Sequence, residues 1–153
     1  MANTFEERLA ELHLELPPAA APATNTRACK RVGSLLFVGA HGPVTAGGIV
    51  RGKVPTRVSV REARTAARAA VLAALSSVRK ELGSLDHVRQ VVSLVGLVNC
   101  APTFTRMPEV LDGASEVLVE LFGDAGQHVR TTCGMAELPF DVALEVELIL
   151  EVD

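Results

Sequence analysis

A chain of 153 residues is long enough for one domain with a workable core, and nothing in it suggests two. Hydrophobic residues at 48% and charged residues at 22% exclude wholesale disorder, and a net charge of −3 excludes a general electrostatic attraction to nucleic acid. No apolar run approaches the roughly 20 residues that a bilayer-spanning helix needs.

The N-terminal stretch MANTFEERLAELHLELPP lacks the basic and apolar regions of a signal peptide, so a cytoplasmic protein is expected. Thr4 followed by Glu7 has the spacing of a capping box. Phe5, Leu9 and Leu12 then share one side of a short amphipathic helix over residues 5–13. LPPAAAPAT at 16–24 cannot continue that helix and reads as an extended connector. Residues 1–24 are therefore a helix plus a Pro/Ala-rich connector, and 25–153 a single domain.

SLLFVGA at 34–40 is a short apolar run ending among Gly39, Gly42 and Pro43, the pattern of a buried strand entering a turn. TAGGIVRG at 45–52 reads as a turn with a short strand after it. From Val60 to Leu82, Ala63, Ala67, Ala70, Val71, Ala74, Leu75, Val78 and Leu82 recur at helical spacing, and Gly83 closes the helix. The alanine stripe permits close packing on a sheet. Arg61, Arg64 and Arg68 share the other side, either a solvated face or a basic patch for phosphates. With no aromatic residue for base stacking beside them, the solvated face is the expectation.

VRQVVSLVGLV at 88–98 is apolar on both faces from Val91 on, as in a strand covered on both sides. After the loop NCAPTFTRM, Pro108 stands where a first helical turn tolerates it. Val110, Leu111, Ala114, Val117, Leu118, Leu121 and Phe122 then make a second long amphipathic helix, closed by Gly123. In VALEVELILEV at 142–152 every even position is apolar, while Glu145, Glu147 and Glu151 stand at odd ones: a strand with one apolar face. The Leu138–Pro139 corner before it predicts an antiparallel hairpin with 129–136. The order is then β-β-α-β-α-β-β, an α+β sandwich with two helices on one face of a mixed sheet. The uncovered sheet face calls for self-association, and a subunit edge offers the N-terminal helix a place to dock.

Cys29, Cys100 and Cys133 are odd in number and form no CxxC, and His13, His41, His87 and His128 show no metal-ligand spacing. Neither a disulfide framework nor a metal site is signalled. Arg130 and Thr132 lie on one side of their strand, with Cys133 on the other. In the expected hairpin Glu145 returns beside Arg130. That pairing has two readings: a guanidinium clamp for a carboxylate with a glutamate that orients or deprotonates water, or a structural Arg–Glu pair.

The run R-x-T-x-G-x-A-E-L-P-x-D-x-x-L-E-V-E at 130–147 resembles the C-terminal signature of the Rid proteins, the reactive intermediate deaminases of the YjgF type. G-A-H-G-P at 39–43 is similar to that family's S-G-Q-x-P element. The resemblance covers roughly residues 25–152. It implies a fold like that of bacillary chorismate mutase and a homotrimer with three clefts between subunits. It implies cofactor-independent hydrolysis of 2-aminoacrylate and related enamines or imines to 2-keto acids and ammonia. Arg130 would bind the substrate carboxylate and Glu145 position the attacking water, with Thr132, Gly39, His41 and Ser115 as further binding positions.

The chain departs from the family pattern at several of these places. Thr26 stands where active deaminases usually have a Tyr near the first strand, Gly39 and His41 replace Ser and Gln, Thr132 stands where Cys is common, and Ser115 corresponds to an Asn. His41 reads either as a substitute acid or hydrogen-bond donor, or as a surface histidine between glycines. The alternatives to deamination are a trimer that binds small 2-keto or fatty-acid-like carboxylates without turnover, and the endoribonuclease or translation-inhibitor activity attached to some relatives. Neither a membrane nor nucleic acid is the expected partner.

Overall fold

The alternating stretch at the C-terminus becomes the middle of the sheet. A computed structural model describes residues 3–21 and 23–153; Met1, Ala2 and Pro22, the last within the expected connector, lie outside them. Strand β7 (Leu144–Val152) buries Leu144, Val146, Leu148, Leu150 and Val152, and turns Glu145, Glu147, Ile149 and Glu151 to the opposite face. Around it stand β1 (Cys29–Val32), β2 (Leu35–His41), β5 (Val88–Asn99) and β6 (Val129–Met135), in the spatial order β1-β2-β7-β5-β6. A separate small hairpin joins β3 (Val44–Thr45) to β4 (Gly48–Ile49), where the sequence predicts a turn and a short strand.

The sheet is mixed, as expected, but the expected hairpin between 129–136 and 142–152 does not form. β5 lies between β6 and β7, pairing parallel with the first and antiparallel with the second. A corner in the sequence shows that the chain turns, not which strand it returns to. After Leu138 the chain makes a short 3-10 turn at Pro139–Asp141, and Val142 bridges to Arg51 before β7 begins. The 12-residue β5, apolar on both faces, pairs with β7 from Val88–Val152 to Val98–Leu144. The shorter β6, with Val129, Thr131 and Gly134 exposed, takes the edge of the sheet.

Helices α2 (Val60–Leu82) and α3 (Met107–Phe122) cover one face. Ser59 and Glu62 form a capping box at the start of α2, and Gly83 ends it at φ 86°. The stripe Ala63, Ala67, Ala70 and Ala74 is fully buried. Gly113 of α3 lets the two helix backbones meet, since a Cβ there would lie 2.1 Å from the Arg64 carbonyl oxygen. Arg64 and Arg68 ion-pair with Glu116 and Glu120 of α3, so two of the three arginines belong to a seam between the helices rather than to a free solvated face.

The N-terminal helix α1 (Phe5–Glu11), capped by Thr4 and Glu7 as expected, docks on its own chain. The Phe5 and Phe122 rings meet edge to face at 4.8 Å, Leu9 is buried, and Glu6 accepts from the Leu85 amide (2.9 Å) and pairs with Arg79 (3.2 Å). Among the described residues no helix is long and apolar enough to cross a membrane.

Gly113→Ala should improve helix propensity by about 1 kcal/mol, yet force α2 and α3 apart at a cost of about 1–3 kcal/mol. A lower chemical-denaturation midpoint is expected, and an unchanged or higher one would show that the helices can separate without loss.

Candidate functional site

The residues singled out in the sequence fall into two groups on opposite faces of the sheet. In the parallel register Arg130 stands beside Leu94, which is fully buried under the helices, and Thr132 beside Gly96. Both therefore face the helix layer. Glu145 stands across from Leu97, whose other neighbour is Cys133, on the uncovered face. Arg130 and Glu145 do not meet within one chain, which removes both the single-chain clamp and the structural Arg–Glu pair. Cys133 does turn away from Arg130, and it shares its face with Glu145.

The first group gathers at the β6–α3 edge. Arg130 Nη1 donates to Asp112 Oδ1 at 2.9 Å and to Ser115 Oγ at 3.1 Å. Ser115 Oγ lies 3.0 Å from His128 Nε2, and His128 Nδ1 lies 2.6 Å from the Gly126 carbonyl oxygen. A carbonyl can only accept, so Nδ1 carries a proton and donates to it. Arg130 is thus oriented through one nitrogen, and its Nε and Nη2 make no hydrogen bond among the described residues. Arg130 and Ser115 come together as the sequence suggests. Asp112 and His128 were not singled out; the signal was available for Asp112, three residues before Ser115 and so on the same face of α3.

The second group lines a cleft of about 600 Å³ that includes Thr26, Arg27, Gly39, His41, Phe140 and Glu145. His41 is only 8% exposed, so it is not a surface histidine. Simple alternation after Leu36 and Val38 would bury residue 40 and turn 41 outward, but a bulge between Val38 and His41 reverses the faces. His41 Nδ1 donates to the Gly39 carbonyl oxygen at 2.7 Å, and Nε2 accepts from the Ser77 hydroxyl at 2.8 Å. Burial holds its pKa below the usual histidine value and keeps the ring neutral. With both nitrogens engaged, His41 ties β2 to α2 and shows the cleft a ring rather than a free acid.

Glu145 is half-buried in this cleft. Burial, and secondly the nearby Glu147 carboxylate, raise its pKa above the ordinary glutamate value. Arg27 supplies the cleft with a positive charge that sequence reasoning missed, although it adjoins Thr26.

A buried side chain joins the cleft to the corner at 138–141. Asn99, fully buried, donates to Asp141 Oδ1 (2.9 Å) and to the Val142 carbonyl oxygen (3.1 Å), and accepts from Lys53 Nζ (2.9 Å). Phe140 and Asp141 are both held at φ 57°, the left-handed region that non-glycine residues rarely occupy. Phe140 consequently stands at the cleft 85% exposed.

A family model described as "YjgF/chorismate mutase-like, putative endoribonuclease" matches residues 6–152. "Protein TCP17" of Trypanosoma cruzi is 39% identical over 147 residues, covering 95% of this chain and 92% of its own. The structure of Atu1372 from Agrobacterium tumefaciens, a protein of unknown function, superposes with a TM-score of 0.89 at 36% identity, covering 97% of this chain and 92% of that one. That of a "putative endoribonuclease" from Shewanella oneidensis MR-1 does so with a TM-score of 0.93 at 33% identity, covering 98% and 100%. The chorismate-mutase-like fold expected from the sequence is the fold observed.

Because the folded site disfavours ionised Glu145, the carboxylate costs stability once pH rises through its raised pKa, and costs nothing below the pKa of an unfolded glutamate. Glu145→Gln should therefore raise Tm at pH 7 and leave it unchanged near pH ~4. Equal gains at both pH values in calorimetric scans would show that the effect is not electrostatic.

Proposed function

The chain belongs to the YjgF/chorismate-mutase-like family, and we propose that it hydrolyses small imines and enamines to 2-keto acids and ammonia in clefts assembled between copies of itself. The observation that carries this reading is the division of the site. Arg130 presents unused N–H groups at one edge of the sheet, while Glu145 sits in a cleft on the other face. Neither group alone can both hold a carboxylate and activate water; an edge of one copy set against the open face of the next brings the two together. Such a head-to-tail contact, repeated around a threefold axis, closes a ring. The open face also carries Phe37 at 43% and Leu35 at 36% exposure, apolar surface suited to burial.

In the assembled cleft the Nε and Nη2 groups of Arg130 take the substrate carboxylate through two parallel hydrogen bonds, while Asp112 and Ser115 hold Nη1. An enamine first tautomerises to its imine. Glu145 then accepts a proton from water as the water oxygen attacks the imine carbon, and returns that proton to the imine nitrogen. The resulting carbinolamine loses ammonia and leaves the ketone. A glutamate whose pKa is raised, first by burial and then by the Glu147 carboxylate, is a stronger base than an ordinary one. RNA is disfavoured as the ligand by the net charge of −3 and by the engagement of Arg64 and Arg68 with α3.

The test couples an amino-acid oxidase to the protein and follows decay of the imine. Arg130→Ala and Glu145→Gln should each slow turnover by about 100-fold or more. Co-expressed in equal amounts, the two inactive variants should regain about a quarter of wild-type activity, because one shared cleft in four then carries both native residues. No recovery, or a monomer by analytical ultracentrifugation, would overturn the shared site. A wild-type protein without turnover that binds pyruvate only when Arg130 is present would point to a binding module instead. In an active protein, Glu147→Gln should move the acid limb of the kcat/KM profile to lower pH, since it removes one of the two causes that raise Glu145.

A further inference from the structure

Within one chain the cleft around Glu145 is larger and more apolar than the smallest imines require. Its volume of about 600 Å³ far exceeds what 2-aminoacrylate would fill. Its walls include Ala28, Ala73, Ile49 and Phe140, and its charged side chains are Glu145 and Arg27. His41, the remaining ionisable group there, has both ring nitrogens engaged with Gly39 and Ser77. A ligand side chain entering this space therefore meets mostly apolar surface, with Glu145 and Arg27 as the charged groups beside it.

Two segments that the chemistry of the reaction does not use form this apolar wall. One is the Pro/Ala-rich connector, which reaches the cleft through Pro18, Ala20, Ala21 and Ala23. Its start is tied to the core, since Leu14 is buried and the Ser76 hydroxyl donates to the Pro17 carbonyl oxygen. The other is Phe140. An aromatic ring 85% exposed, on a left-handed backbone position beside Asp141, contributes nothing to the core of its own chain. Asn99 and the Gly52 amide, which donates to the Asp141 carbonyl oxygen at 2.8 Å, hold that corner in place. Backbone strain kept in place by a buried side chain marks a position that serves something other than the fold.

We infer that this cleft selects carboxylates bearing a bulky apolar side chain, with Phe140 and the alanine connector as the residues that set the preference. This rests on the reading of the cleft as the site for imines and their 2-keto-acid products, and it names which of them the site favours. Each added methylene that finds apolar wall improves affinity, whereas the smallest acids gain nothing from it.

The experiment is calorimetric titration of the full-length protein with pyruvate, 4-methyl-2-oxopentanoate and phenylpyruvate. The two bulky acids should bind at least about tenfold tighter than pyruvate. Phe140→Ala should narrow that ratio, most for phenylpyruvate, and Ala73→Leu, which fills the cleft from the α2 side, should lower affinity for both bulky acids. If Ala73→Leu does not fold, the exposed Phe140→Ala variant still decides. Equal or tighter binding of pyruvate would overturn the preference while leaving imine hydrolysis standing. Binding of none of the three would overturn both. A Phe140→Ala variant that keeps the ratio but changes the association state in sedimentation would assign Phe140 to contact between copies and remove it from specificity.

Discussion

The period-two alternation of β7 divides this molecule into a covered and an uncovered half, and the placement of every candidate residue follows from it. Leu144, Val146, Leu148, Leu150 and Val152 make the floor on which α2 and α3 rest, so Glu145, Glu147 and Glu151 must go to the other side. Because sheet neighbours share a face, the same division runs outward through β5 to the edge strand. There it sends Arg130 beneath the helices and Cys133 to the face of Glu145. A slip of one residue in that register would exchange the two groups. The separation of the guanidinium from the carboxylate is thus built into the core, and no loop rearrangement within one chain can undo it.

A second constraint acts where the strands end. Asn99, the last residue of β5, buries its amide against Asp141, the Val142 carbonyl and Lys53. Removing a partner from such a buried set leaves donors and acceptors with nothing to bond, which costs more than each bond contributes when made. That penalty is what allows two successive non-glycine residues to stay left-handed at the corner. The same bonds place Phe140 beside the cleft, so packing at the end of one strand governs the shape of a site formed around another.

Much of the fold is legible in the sequence. The Thr4–Glu7 capping box, the alanine stripe of α2, Pro108 in the first turn of α3 and the alternation of β7 are local signals, and each appears in the structure where the spacing puts it. What the sequence does not show is pairing between distant segments. The Leu138–Pro139 corner gives the turn but not β5 inserted beyond it. The bulge that buries His41 changes no residue type, only the count between strands. The site was legible to the same degree: the residues around Arg130 include Ser115, and those around Glu145 include Gly39 and His41, but the sheet between the two groups is a property of the topology. Arg27 and Asp112 escaped notice because a charged residue on a short strand approach or a helix surface looks like ordinary solvated sequence.

Electrostatics on the uncovered face connect assembly to chemistry. Glu145 already resists ionisation in the single chain, first from burial and then from Glu147. Covering that face with a second copy removes more water and strengthens both effects. A positive group arriving with the covering surface acts against that rise and favours the ionised carboxylate. In the proposed assembly Arg130 is that group: it enters with the neighbouring edge, already held by Asp112 and Ser115, and offsets the loss of solvent around Glu145. In that proposed assembly the burial that raises the Glu145 pKa and the cation that opposes the rise come from the same contact.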